Sequence, residues 1–222
     1  MPVGQAGKIL IRGPQVMSHY QNNPEATAAV IDRDGFFDTG DLGRFNPITG
    51  DLIVTGRAKD TIVLSNGENV EPQPLEDAIS GECSLIDQVM LFGQDERFLG
   101  AIVCLNPLNM AKAGIVSKAR LSRYSELLGP TPLTTGPAGS PQELADAEKE
   151  ILAAPGLREA VMEQLKAVAG EERPWEQVGM VIMKFEPFTT SNGLITQTLK
   201  TKRNVVVERF GKEIDALYAS KR

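Results

Sequence analysis

The sequence predicts an α+β fold, in which a small antiparallel β subdomain precedes a domain with a small sheet covered by helices. Three observations predict this class. Short apolar runs alternate with tight-turn residues over residues 5–57. Three patterns typical of buried strands occur after residue 84. Segments with apolar residues three and four positions apart, typical of helices, lie between and after those strands.

Composition and charge exclude several classes of protein. The 222 residues suffice for one large domain or two small ones, and 41% hydrophobic with 23% charged residues is typical of a globular chain. No run of about 18 apolar residues occurs, which argues against a membrane span. The net charge of -6 disfavours nucleic acid as the main partner. The lone His19 disfavours histidine triads and multi-histidine metal sites, and Cys83 and Cys104 lack metal-ligand spacing.

The β subdomain is predicted from short strands and turns. The segment GKILIRG (7–13) alternates apolar and polar residues and predicts the first strand. A short helix is predicted over 24–32, where a proline occupies the first position. Two further strands are predicted over 36–39 and 51–55, each preceded by turn residues.

The second part begins with Asn66-Gly67 between two extended runs, which predicts a hairpin. A short helix over 75–80 and irregular structure over 106–140, read as a flexible loop, are also predicted. The remaining patterns predict strands and helices in turn. The strands are predicted over 85–93, 98–105 and 178–186, and the helices over 143–154, 157–170 and 203–218.

Four clusters of residues carry potential chemistry. They are HYQNNPEAT (19–27), DGFFDTGDLG (34–43), TGRAKDTIVLSNGENVEP (55–72) and NGLITQTLKTKR (192–203). Each alone is weak, because a turn aspartate is usually solvated, an Asn-Gly pair is usually only a turn, and a lysine-rich segment is usually a solvated face. Their order and spacing are what make them informative.

In that order the clusters resemble the C-terminal part of adenylate-forming enzymes of the acyl-CoA synthetase superfamily. GRAKDTIVLSNGENVEPQPLED (56–77) resembles the long-chain fatty acyl-CoA and acyl-acyl-carrier-protein synthetase branch nearly residue for residue. The resemblance covers the chain except 106–140. It implies that 1–58 is the last β subdomain of an N-terminal adenylation domain, and that 59–222 is a mobile C-terminal domain.

The resemblance also implies the reaction. A fatty acid carboxylate attacks the α-phosphorus of Mg-ATP, giving an acyl-adenylate and pyrophosphate. A thiol of CoA or of an acyl-carrier protein then displaces AMP, and the C-terminal domain rotates between the two half-reactions. ATP and Mg²⁺ would be bound mainly by an N-terminal part that this sequence does not include.

The resemblance assigns roles to individual residues. Asp41 and Arg57 match the residues that hold the nucleotide ribose, a task suited to a two-oxygen acceptor and a forked donor. Lys59 matches the hinge position. Lys200 matches the catalytic lysine of adenylation, whose ammonium group can neutralise charge at the α-phosphate. The turn that lines the thiol tunnel matches Ser65, Asn66 and Gly67.

Some alternatives stay open at this stage. The chain could instead be a standalone, non-catalytic nucleotide- or carrier-binding module with the same fold. A hydrolase is disfavoured because no Ser/His/Asp or Cys/His set is evident. TTGPAGSP (134–141) resembles a phosphate loop superficially, but no lysine follows it directly, and we interpret it as a linker. The sequence leaves three questions undecided. They are whether the acceptor is CoA or a carrier protein, whether the protein associates peripherally with a membrane, and whether its compartment is the cytoplasm or the plastid.

Overall fold

The computed structural model describes residues 5–128, 139–169 and 173–221. The chain divides into two compact units. The first comprises Met1–Ile62 and Asn69–Pro74, and the second comprises Val63–Glu68 and Leu75–Arg222. The predicted domain boundary between residues 58 and 59 lies close to the start of the second unit and stays a prediction.

The first unit contains a three-stranded antiparallel sheet with the order β1-β2-β3. Its strands and one short helix are β1 (Gly7–Ile11), α1 (Pro24–Val30), β2 (Phe37–Phe45) and β3 (Leu52–Arg57). Asn23 begins α1, because its side-chain oxygen accepts the Ala26 N–H at 3.0 Å. Strand β2 is longer than predicted and includes Asp41.

The remaining elements include a two-stranded sheet, β4-β5, and a second three-stranded sheet with the order β6-β7-β8. They are β4 (Ile62–Val63), β5 (Asn69–Val70), α2 (Pro72–Glu82), β6 (Ile86–Phe92), β7 (Leu99–Leu105), α3 (Pro107–Lys112), α4 (Lys118–Leu128), α5 (Pro141–Leu152), α6 (Leu157–Val168), β8 (Val178–Lys184) and α7 (Arg203–Ala219). Strand β7 is buried along its length; it pairs antiparallel with β6 and parallel with β8. The predicted α+β class is confirmed.

Helix α7 packs on this second sheet through apolar side chains. Val206 and Phe210 are buried in the same cluster as Met90 and Ile102. The ring of Tyr218 meets that of Phe92 edge-on at 5.8 Å, an arrangement that aromatic pairs favour. These contacts fix α7 to the sheet, and α7 directly follows the segment that carries Lys200.

The prediction of irregular structure over 106–140 is wrong for two segments, which form α3 and α4. Asn106 caps α3 by accepting the Asn109 N–H at 2.9 Å, and Pro107 occupies its first position. In α4, Leu121 and Tyr124 lie three positions apart and are buried. Residues 129–138 lie outside the described residues, and with them most of the predicted linker 134–141.

No helix within residues 5–128, 139–169 and 173–221 has the length and apolar character that crossing a membrane requires. In the same ranges, no three histidine, cysteine, aspartate or glutamate residues lie together as metal ligands would.

Both cysteines are buried free thiols, each only 3% exposed. Burial raises the pKa of Cys104 to about 12 and also raises the pKa of Cys83. Because the thiolate is the reactive form, we expect Ellman's reagent at pH 8 to label the native chain at least about a hundredfold more slowly than the unfolded chain. The control is complete labelling in guanidinium chloride; fast labelling of the native chain would contradict this packing.

Candidate active site

Asp41 and Arg57 face each other across the first sheet. The pairing of β2 with β3 places the two residues in register. The Arg57 Nε lies 3.1 Å from Asp41 Oδ1. The sequence singled out both residues for one ligand, and the strand register brings their side chains into contact.

The backbone of β2 is irregular directly before Asp41. Gly40 has a φ of +72°, a left-handed conformation that favours glycine. The Gly40 N–H donates to Asp38 Oδ1 at 2.9 Å, and the Asp41 N–H donates to the Thr39 hydroxyl at 3.1 Å. The Gly40 N–H and the Lys8 ammonium group lower the pKa of Asp38. These bonds fix the backbone that carries Asp41.

The Asp41–Arg57 pair is accessible. The two side chains are 32% and 45% exposed, respectively. Exposed ion pairs contribute only about 0–1 kcal/mol to the free energy of unfolding. The pair therefore adds little stability, and it presents carboxylate oxygens and guanidinium donors to a ligand with several hydroxyl groups.

Lys59 lies in a short 3₁₀ turn, Ala58–Asp60, directly after β3. Its side chain is exposed. The Thr61 hydroxyl donates to the Arg57 carbonyl at 3.3 Å, which closes this stretch of backbone. The division between the two compact units follows at Ile62, so Lys59 lies where the chain leaves the first unit.

Ser65, Asn66 and Gly67 form an exposed turn of the second unit. The Leu64 N–H donates to the Glu68 carbonyl at 2.9 Å, and the Gly67 N–H donates to the Leu64 carbonyl at 2.8 Å. Gly67 has a φ of +86°, a left-handed backbone conformation that favours glycine. The predicted hairpin turn is therefore present, with a glycine where the backbone needs one.

A cavity of about 360 Å³ opens beside this turn. The Ser65 N–H donates to the Glu96 carbonyl at 2.9 Å, which joins the turn to one wall of the cavity. The residues that line the cavity all belong to the second unit: Ser65, Asp95, Glu96, Arg97, Phe98, Tyr218 and Lys221. The turn therefore borders a concave surface.

Lys200 lies in a second exposed turn, directly before α7. The Thr196 N–H donates to the Lys200 carbonyl at 2.8 Å, and the Lys200 N–H donates to the Thr196 hydroxyl at 3.1 Å. Leu199 has a φ of +60° and is 76% exposed. A leucine in this conformation costs on the order of 1–3 kcal/mol, strain that typically occurs at functional positions.

The chain leading to the Lys200 turn is held by β6. The Gln88 side chain accepts the Phe188 N–H at 2.6 Å and donates to the Phe188 carbonyl at 3.1 Å. Leu194 is buried in the core beneath α7. No sequence pattern predicts the Gln88 contact, because Gln88 and Phe188 are far apart in the chain and a lone glutamine forms no motif.

The structure thus places the predicted residues in three groups. Asp41 and Arg57 form one pair in the first unit, with Lys59 at its end. The Ser65–Gly67 turn and the Lys200 turn are separate features of the second unit. The roles assigned to all of these residues stay predictions.

Comparison with known proteins defines the class. Residues 59–122 match the family model of the AMP-binding enzyme C-terminal domain. The adenylation domain of a carboxylic acid reductase from Segniliparus rugosus, solved with AMP and a co-purified carboxylic acid, superimposes with a TM-score of 0.70. It is 26% identical, and the match covers 98% of this chain and 28% of that one. The chain therefore carries the C-terminal domain of adenylate-forming enzymes.

Within that class, the chain resembles fatty acid ligases. It is 38% identical to probable acyl-activating enzyme 16, chloroplastic, of Arabidopsis thaliana, over 98% of this chain and 28% of the relative. It is 35% identical to the long-chain-fatty-acid–[acyl-carrier-protein] ligase AEE15, chloroplastic, of the same plant, over 99% and 26%. It is 32% identical to long-chain-fatty-acid–CoA ligase 5 of Mus musculus, and that match covers 98% of this chain and 28% of the relative.

The chain thus spans little more than a quarter of the length of the curated relatives it matches. The adenylate-forming superfamily and its long-chain fatty acid ligase branch, expected from the motifs, are confirmed. Residues 59–122 belong to the AMP-binding enzyme C-terminal domain family, and the chain matches the C-terminal portion of these ligases.

Proposed function

We propose that this chain acts as the C-terminal part of an ATP-dependent fatty acid:thiol ligase. The enzyme forms an acyl-adenylate and then an acyl thioester. In the first half-reaction a carboxylate oxygen attacks the α-phosphorus, and the bond to pyrophosphate breaks. In the second, a thiol sulfur attacks the acyl carbon, AMP leaves, and the thiol proton is lost to solvent.

The observation that carries this proposal is the Asp41–Arg57 pair. Its 3.1 Å contact brings together two solvent-accessible side chains of opposite charge. A carboxylate can accept two neighbouring hydroxyl groups, and a guanidinium group can donate to several oxygens. That chemistry suits a nucleotide ribose. AMP in the similar adenylation domain of the carboxylic acid reductase supports a nucleotide as the ligand.

Lys200 acts in the first half-reaction. Its ammonium group lies on an exposed turn whose backbone is held by two hydrogen bonds to Thr196. A preorganised cation stabilises negative charge that builds up on the α-phosphate and the attacking carboxylate. Lys59, at the end of the first unit, acts as the hinge about which the C-terminal domain turns.

The Ser65–Gly67 turn acts in the second half-reaction. A glycine without a β-carbon leaves room for a narrow phosphopantetheine arm close to the backbone. The acceptor is the thiol of CoA or of an acyl-carrier protein, as in the relatives named for each. ATP and Mg²⁺ are held mainly by the larger N-terminal part of the enzyme. The chloroplastic relatives support the plastid over the cytoplasm as the compartment.

The alternative is a standalone module that binds a nucleotide or carrier without catalysis. The deciding experiment is a chimeric ligase, in which this chain replaces the matching segment of the Arabidopsis carrier-protein ligase. We expect the chimera to form acyl thioester from palmitate, ATP and a thiol, and this chain alone to release no pyrophosphate. A chimera that binds AMP but forms neither adenylate nor thioester would favour the alternative.

The ribose assignment is tested by Asp41→Ala in the chimeric ligase. We expect the KM for ATP to rise about 10- to 100-fold, because hydrogen bonds to a charged acceptor are lost. The matched control is Asp51→Ala, which removes an exposed carboxylate near the start of β3. Steady-state kinetics at varied ATP concentration provide the measurement. An unchanged KM for Asp41→Ala would refute the assignment.

A further inference from the structure

The outer edge of strand β6 is covered by two charged side chains. β6 is an edge strand in the order β6-β7-β8. The Leu91 N–H donates to Glu76 Oε1 at 2.6 Å, and the Leu91 carbonyl accepts from Arg203 Nη1 at 3.1 Å. Two backbone groups that an edge strand leaves unpaired are thus satisfied by side chains from α2 and α7.

Glu76 and Arg203 also form an ion pair with each other through Glu76 Oε2 and Arg203 Nη2. Their side chains are 8% and 16% exposed, which makes this pair the most buried ion pair in the described part of the chain. Burial raises the pKa of Glu76, and Arg203 opposes that rise. A buried ion pair often adds no more stability than apolar residues would, so its presence calls for another role.

Arg203 is tied closely to Lys200. It is the first residue of α7 and follows Lys200 by three positions. Between them, Thr201 forms a β-bridge with Ile195, and the Lys202 N–H donates to the Leu194 carbonyl at 2.8 Å. The backbone that leaves the Lys200 turn therefore ends directly at the buried ion pair.

We propose that Arg203 and Glu76 are positioning residues for Lys200, an inference that rests on the function proposed above. The guanidinium group spans two partners, the Glu76 carboxylate and the Leu91 carbonyl, and so fixes the start of α7 in position and direction. The turn before α7 then holds the Lys200 ammonium group in one place. Lysine at position 203 cannot reproduce the forked donor geometry of the guanidinium group, because an ammonium group is a point charge.

Amide hydrogen exchange on this chain tests the anchoring step. Glu76→Gln and the milder Arg203→Lys should speed exchange of the Thr196 and Lys202 amides about tenfold, because charged hydrogen bonds that hold the turn are weakened. A general loss of stability would speed only amides that exchange by global unfolding, such as those of β7. The matched control is Glu213→Gln on the same helix, which breaks the more accessible ion pair of Glu213 with Lys184 of β8. Unchanged exchange at the Lys200 turn in both variants would overturn the proposal.

The two half-reactions of the chimeric ligase test the catalytic consequence. Arg203→Lys should slow pyrophosphate release about tenfold, as the preorganisation of Lys200 is lost, while transfer from supplied acyl-adenylate continues. Faster exchange at the turn with unaltered pyrophosphate release would overturn the proposal. If Lys200→Ala itself left pyrophosphate release intact, the proposed function of Lys200 would fail, a result distinct from any failure of the anchoring step.

Discussion

Replacing Lys200 with alanine in the chimeric ligase is expected to lower the rate of acyl-adenylate formation by about 10²- to 10³-fold, the usual cost of removing one preorganised donor. Lys200 lies on an exposed turn that is held by hydrogen bonds, and its side chain is not buried in the core. Its loss should therefore remove charge stabilisation without unfolding the domain. Rapid mixing with ATP and palmitate, followed by pyrophosphate detection, measures the effect.

The matched control for this change is Lys202→Ala. Lys202 is also exposed, carries the same charge and lies two residues further along, at the start of α7. We expect it to retain pyrophosphate release within about threefold of the unmodified chimera, because exposed lysines away from a reacting group have small effects. Equal losses in both variants would mean that the net charge of the segment matters, and not the position of one ammonium group.

Replacing Gly67 with leucine is expected to slow thioester formation about tenfold or more while pyrophosphate release continues. Two physical effects act together. A leucine at a φ of +86° strains the turn by on the order of 1–2 kcal/mol, and under the proposed role of this turn its side chain would extend into the path of the thiol arm. Among the described residues, none lies within 4 Å of a β-carbon added at Gly67, so no clash within the domain is expected. The measurement is transfer from supplied acyl-adenylate to the thiol.

Gly114→Leu separates these two effects. Gly114 has a φ of +69° and, like Gly67, has no described atom within 4 Å of an added β-carbon. Leucine there imposes a similar backbone strain in the same unit, away from the Ser65–Gly67 turn. We expect normal transfer in this variant. If Gly114→Leu slowed transfer as much as Gly67→Leu, the effect would come from destabilisation and the thiol-turn assignment would be wrong.

Sequence patterns predicted the sheets well, for identifiable physical reasons. Strand β7 is buried throughout, and β6 and β8 contain buried apolar runs over 89–92 and 180–183, as strands buried on both faces do. The Asn66-Gly67 turn was predicted because a positive φ requires such residues. Helices α3 and α4 were missed because α3 is short and α4 buries only two side chains, so their apolar periodicity is weak.

The residues of the candidate site were predicted, with Asp41 and Arg57 assigned to one ligand, but their contacts with each other were not. The Asp41–Arg57 contact depends on the register of β2 with β3, which a bulge between Leu42 and Gly43 shifts. No local pattern encodes such a register. The Glu76–Arg203 pair joins residues distant in sequence, and a buried glutamate in a short helix looks like a solvated one until its partners are known.

Measuring both half-reactions by rapid mixing, in the same two variants of the chimeric ligase, tests whether one domain contributes Lys200 to adenylation and the Gly67 turn to thiol transfer. We expect opposite losses. Lys200→Ala should block pyrophosphate release yet transfer acyl groups from supplied acyl-adenylate, whereas Gly67→Leu should release pyrophosphate yet transfer slowly. Loss of the same half-reaction in both variants would contradict this division of roles.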